Sequence, residues 1–159
     1  MIKLMGSNDV YDAMTLVRIS YEEDAYFAYD NKDEAYWTAG FLELLAKAKG
    51  GDPNYLAIKF VDDENDMLGF MLCSTYIEQY CGKPVMDVKE MIVDYSAGKL
   101  SNALTVKACF DYMIEHIKAH GGADWRADTI HSTGMAKDYV AFLQKQYNCT
   151  PLSGVRGVI

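Results

Sequence analysis

The stretch Val85-Met86-Asp87-Val88-Lys89-Glu90-Met91-Ile92-Val93-Asp94-Tyr95-Ser96-Ala97-Gly98-Lys99-Leu100-Ser101-Asn102 changes its period partway along. Its first nine residues read as a long strand. The alternation of that strand breaks at Met91-Ile92-Val93, which is compatible with a β-bulge or with burial on both faces. Over residues 101–120 the period becomes 3.6, with Leu104, Ala108, Met113 and Ile117 recurring and Phe110 and Ile114 beside them. Gly121-Gly122 ends this helix. A strand that runs through a short turn into a long helix is the feature around which the rest of the chain is placed.

Upstream lies a hairpin. Residues 55–61 are rich in β-formers, residues 62–66 are an acidic turn, and residues 67–76 return. Gly69 falls within the returning strand, where a bend or a close backbone approach calls for it. Two helical patterns come before the hairpin. Ser7-Asn8-Asp9 supplies N-caps for one carrying Val10, Ala13, Met14 and Val17. The other follows Asp30-Asn31-Lys32-Asp33, shows Trp37, Phe41, Leu44, Leu45 and Ala48 on one face, and stops at Gly50-Gly51. Residues 21–29 between them are aromatic and acidic together. They read either as a packed corner between helices or as the wall of a cleft for a cationic ligand. A short strand over residues 2–5 opens the chain.

Downstream, a short strand is expected over residues 127–131. Ser132-Thr133-Gly134 then caps a last helix with Met135, Tyr139, Phe142 and Leu143, and residues 155–159 form a final strand. Pro53, Pro84 and Pro151 fall at element boundaries. The order is β-α-α-β-β-β-α-β-α-β. The fold class is α/β in the mixed α+β sense: a mostly antiparallel sheet with helices on both faces, in one domain over residues 1–159.

Composition narrows the function. The 159 residues are 50% hydrophobic and 24% charged, a globular balance. A chain of this length buries about 68–70% of its unfolded surface and needs no disulfide or metal to fold. Fifteen Lys+Arg against 23 Asp+Glu give a net charge of −8, so no nucleic acid partner is expected. No apolar run reaches the roughly 18 residues of a membrane span, and residues 1–5 lack a signal-peptide core; a cytoplasmic location is expected. Cys73, Cys81, Cys109 and Cys149 form no CxxC pair, and His116, His120 and His131 are not at zinc spacing from them. The thiols read as reduced and mostly buried, and no metal is expected. A catalytic pair of Cys73 or Cys109 with His131 stays open, without a local motif to carry it.

The element order resembles the GNAT superfamily of N-acetyltransferases, in which the fourth strand leads through a phosphate-binding turn into the central helix. Val88-Lys89-Glu90-Met91-Ile92-Val93-Asp94-Tyr95 is similar to that strand and its exit. The family turn is Q/R-x-x-G-x-G/A, where small residues let pyrophosphate oxygens reach backbone N–H groups at a helix N-terminus. Here Ser96, Lys99 and Ser101 stand at those three places, so the turn departs from the pattern and the chain looks like a degenerate member. The resemblance implies acetyl-CoA as cofactor. Ser96, Gly98, Lys99, Ser101 and Asn102 would meet its phosphates, and a backbone N–H near Ile92 or Val93 would serve as oxyanion donor. Glu90 resembles the position of the general base. The family's acid, a Tyr on the last helix, falls at Leu143, so Tyr139, one turn earlier, is taken as the acid, with Tyr147 one turn later as its alternative. His131 is a second base option.

Two functional readings follow from the resemblance. One is an acyltransferase moving an acetyl group from acetyl-CoA to an amine acceptor, a small molecule or a lysine side chain. The other is a catalytically lapsed GNAT-fold protein that binds a protein partner or its own copy. Ala97-Gly98-Lys99 and Phe142-Leu143-Gln144-Lys145 are similar to segments of internal virion proteins of short-tailed bacteriophages, which would place such a protein in a virion.

Overall fold

The computed structural model describes residues 1–23, 34–79, 82–122, 124–127 and 134–150. The expectations for the aromatic and acidic stretch 24–33, for His131, for Cys81 and for the final strand 155–159 lie outside the described residues. Two compact units are present, Met1–Ala127 and Asp128–Ile159.

The first unit is built on strands β1 (Ile2–Leu4), β2 (Tyr55–Val61), β3 (Met67–Ile77), β4 (Pro84–Val93) and β5 (Asp124–Ala127). They lie in the order β1-β2-β3-β4-β5. The first three pairings are antiparallel, and β4 with β5 is parallel. Helices α1 (Val10–Glu23) and α2 (Glu34–Lys49) come before the β2–β3 hairpin, and α3 (Lys99–Ala119) joins β4 to β5. This is the mixed α/β architecture expected.

Strand periodicity sorts the core into two layers. On one face Ala57, Phe70, Leu72 and Ile92 meet Ala13, Met14 and Val17 of α1 and Trp37, Phe41 and Leu45 of α2. Trp37 stacks on Phe41 with centroids 5.2 Å apart, and both meet Phe70 edge-on. On the other face the Cys73 sulfur touches that of Met113 on α3, and Phe110 meets Trp125 of β5 edge-on at 5.3 Å. Cys109, Phe110 and Met113 are fully buried. The Lys59–Asp9 ion pair, with both side chains largely buried, fastens β2 to the turn ahead of α1.

Several boundaries differ from the sequence reading. Ser7-Asn8-Asp9 is a 3-10 turn capped by Gly6, with Asp9 Oδ2 accepting from the Gly6 amide, and α1 begins at Val10. Strand β5 begins at Asp124, three residues before the expected start, because its pairing with Val85–Val88 and the Trp125–Phe110 contact set its register; the rest of the expected strand, 128–131, lies outside the described residues. Helix α3 starts at Lys99, two residues early. Its N-cap is Gly98 (φ +85°, ψ +161°). Gly121 and Gly122, both at positive φ, do end it.

The irregularity in β4 falls at Lys89, not at Met91-Ile92-Val93. Leu72 pairs with Glu90 while Cys73 pairs with Val88, so Lys89 is an extra residue. Met86 and Val88 pair with Thr75 and Cys73, on the α3 face. Glu90 and Ile92 pair with Leu72 and Phe70, on the α1/α2 face. All four are even-numbered, so an unbroken strand would put them on one side. The bulge is what turns Glu90 toward α1 and α2.

The second unit contains helix α4 (Gly134–Tyr147). On it Leu143 is buried and Tyr139 half-buried, one turn apart.

Candidate functional site

The end of β4, the turn and the start of α3 bring eight of the nine singled-out residues together within Glu90–Asn102. The described residues of β5, Asp124–Ala127, pair with Val85–Val88 of β4. From Lys89 on, among the described residues, β4 is hydrogen-bonded to β3 alone. Beyond the bulge, β4 runs on to the turn that leads into the N-terminus of α3.

At that N-terminus the chain makes a two-step turn. Asp94 caps the 3-10 turn Tyr95–Ala97, its Oδ1 accepting from the Ser96 amide at 2.9 Å and from the Ser96 hydroxyl at 2.6 Å. Gly98 then swings the backbone through a conformation open almost only to glycine. A Cβ placed on it would meet nothing within 4 Å, so the notch in front of it is open. The Asn102 amide donates to the Gly98 carbonyl at 3.0 Å, which closes the first turn of α3. The first amides of a helix, here those of Lys99, Leu100 and Ser101, have no carbonyl within the helix to meet. No side chain caps this end and no acidic residue lies in its first turn. Ser96, Gly98, Lys99 and Leu100 are exposed around the notch. Buried beneath it are two oxygens without a partner among the described residues, Asn102 Oδ1 and Thr105 Oγ1. A helix N-terminus of this kind favours an anion. Ser96, read as a phosphate contact, already spends its amide and hydroxyl on Asp94; Gly98, Lys99 and Ser101 stand at the mouth.

Glu90 is half-buried, and the Trp37 indole N–H donates to its Oε1 at 3.1 Å. The sequence reading missed Trp37. The partners lie 53 residues apart, and the Trp37 pattern announced only a core face. Ile92 is buried and Val93 half-buried, beyond the bulge. Tyr139 lies in the second unit, on α4.

The thiol option does not survive. Burial drives the Cys109 thiol up to about 12. Cys73 is also pushed well above the ordinary thiol range, by burial first and then by Cys109 and Asp87. Neither is a thiolate near neutral pH, and a thiolate is the nucleophile such chemistry needs.

Comparison with known proteins gives a matching answer at the level of fold. No family model matches the chain, and no curated protein matches its sequence. Solved structures do match over its whole length. A Trypanosoma brucei acetyltransferase superposes with a TM-score of 0.65 at 12% identity, covering 100% of this chain and 99% of its own. An aminoglycoside 6'-N-acetyltransferase from Acinetobacter haemolyticus gives 0.63 at 13%, covering 100% and 99%. A ribosomal-protein-alanine N-acetyltransferase from Brucella melitensis gives 0.62 at 16%, covering 100% and 98%. The chain has the fold of the GNAT acetyltransferases.

Proposed function

We propose that this protein transfers an acetyl group from acetyl-CoA to an amine acceptor. The observation that carries the proposal is an uncapped helix N-terminus directly after β4, with an open glycine at its mouth. These residues fit the cofactor. The amides of Lys99, Leu100 and Ser101 would hold its pyrophosphate, with the Lys99 ammonium beside them. The orphaned Asn102 Oδ1 needs a donor, and the pantetheine arm carries amide donors. Bound there, acetyl-CoA supplies an acyl group already activated as a thioester.

The rest is the work of the chain. Glu90, turned by the bulge toward α1 and α2, takes the proton from the acceptor ammonium so that its nitrogen presents a lone pair. A strand amide at Ile92 or Val93 donates toward the oxygen on which charge develops. The family likeness assigns the proton for the departing sulfur to Tyr139. An acceptor with a cationic amine, on a small molecule or a lysine side chain, suits a chain of net charge −8.

The fold neighbours support this reading, since three of them bear acetyltransferase names. Leu143, buried where the family's acid falls, favours the alternative of a GNAT-fold protein that binds a partner and catalyses nothing. Acetyl-CoA separates the two. At 100 times its Kd it should stabilise the folded chain by about 2.7 kcal/mol and raise Tm accordingly. No calorimetric heat and no change of Tm with millimolar acetyl-CoA would overturn the transferase reading.

A further inference from the structure

We infer that Trp37 is a positioning residue for the Glu90 carboxylate, an inference that rests on the reading of Glu90 as the base. The indole N–H is 3.1 Å from Oε1, and the indole itself is fixed. Trp37 is only 7% exposed, lies nearly parallel to Phe41 (12°) and meets Phe70 edge-on. Phe70 pairs with Ile92, two residues beyond Glu90 on the same strand and the same face. The ring is therefore held on two sides by the layer that also positions β4, and it offers Glu90 a donor with no freedom to swing.

A glutamate on a strand face has three side-chain torsions to order, which a base must have settled before the acceptor arrives. One fixed N–H onto one oxygen selects the orientation of the carboxylate plane. It does not exhaust the group, because an ionised carboxylate has about four lone-pair sites. The bond also ties α2 to β4 beyond the bulge, so the base and the strand that would carry the oxyanion donor share one rigid support. Sequence pattern alone makes Trp37 a core residue, a place where phenylalanine also supplies an aromatic ring. What phenylalanine lacks is the N–H aimed at Glu90.

The experiment compares Trp37→Phe with Glu90→Gln and the parent chain, all at full length. Trp37→Phe keeps an aromatic ring for Phe41 and Phe70, removes the donor and loses part of the buried ring volume, so its stability is measured beside its turnover. Turnover with a primary-amine acceptor such as a polyamine should fall roughly tenfold to hundredfold while the KM for acetyl-CoA stays unchanged. The indole N–H resonance of Trp37, assigned by its loss in Trp37→Phe, should move when Glu90 becomes Gln. Unchanged turnover in Trp37→Phe, with Glu90→Gln inactive, overturns the positioning role and leaves the base standing. Full activity in Glu90→Gln overturns the base itself. If Trp37→Phe loses turnover only in proportion to a fall in folded fraction, measured by circular dichroism, the role is structural and the inference fails. An indole resonance indifferent to Glu90→Gln removes the hydrogen bond on which it stands.

Discussion

Thr105 of α3 packs against the bare Cα of Gly69 on β3. A Cβ built on Gly69 would lie 2.7 Å from Thr105 Cγ2 and 2.7 Å from the Ile92 carbonyl oxygen. Neither is the far end of a flexible chain, so a methyl group at Gly69 must push α3 off the sheet or move β4 beside the site. Gly69→Ala should therefore destabilise the fold by about 1–3 kcal/mol, as overpacking does. Thr105→Ser in that background should recover part of the loss, since it removes Cγ2 but leaves the Ile92 oxygen in place. Urea denaturation measures both. A Gly69→Ala midpoint equal to the parent's would mean that the helix and strand are not in this contact.

Gly98 is a different case. Around it there is room for a side chain, but its backbone lies at φ +85°, ψ +161°. For a residue with a Cβ that conformation costs on the order of 1–3 kcal/mol. Gly98→Ala should lose about that much stability and also weaken acetyl-CoA binding, because relief of the strain reorients the amides that follow. Gly82, exposed in the β3–β4 connection at φ +65°, is the control. Gly82→Ala should show the backbone cost alone, with the acetyl-CoA heat in titration calorimetry unaltered.

These two glycines show where the sequence was legible and where it was not. Gly69 could be marked in advance because a glycine inside a strand pattern signals close approach. Gly98 is visible in the sequence, but the helical period shows only from Ser101, and the positive φ is a property of the folded turn. Strand β4 was visible as a strand with a break. The break at Met91-Ile92-Val93 leaves a bulge and burial on both faces open; the extra residue is Lys89, and the apportioning of Val88 and Ile92 to opposite faces is settled by β3 across the ladder. The same holds for β5, whose position comes from parallel pairing and from Trp125 against Phe110. Glu90 was found through family likeness, whereas its partner Trp37 was hidden because local periodicity reports burial and says nothing about which polar atom a buried ring carries.

The two buried thiols predict a pH dependence of a definite sign. Cys109 is held at about 12 in the folded chain, against an ordinary value of 9.0, chiefly by burial. A folded-state value above the unfolded one means that the native chain keeps a proton the unfolded chain gives up. The contribution is fully present below pH 9 and is lost as the pH rises toward 12, with a slope approaching about 1.4 kcal/mol per pH unit. Cys73 shifts in the same direction and adds to it. Denaturation followed from pH 8 to 11 should thus fall more steeply for the parent than for Cys109→Ala. Equal slopes would contradict burial of the thiol. At pH 8, iodoacetamide should leave Cys73 and Cys109 untouched in the folded chain and modify both in urea.

The bulge at Lys89 gives the most discriminating test, because its removal separates stability from binding. With Lys89 deleted, Val88 and Glu90 become neighbours on an unbroken strand. Alternation alone then puts Val88 toward α3 and Glu90 toward α1 and α2, the faces they already occupy. No core side chain changes layers, and the lost side chain is an exposed lysine paired with Asp87. An exposed ion pair of this sort is worth about 1 kcal/mol or less. What disappears is the extra twist that a bulge adds to its strand, just ahead of the turn into α3. The deletion variant should consequently melt near the parent temperature yet bind acetyl-CoA at least about tenfold more weakly, roughly 1.4 kcal/mol. Calorimetric titration beside a thermal melt reads both quantities on one sample. If affinity survives the deletion intact, the geometry of the acetyl-CoA site does not depend on the bulge.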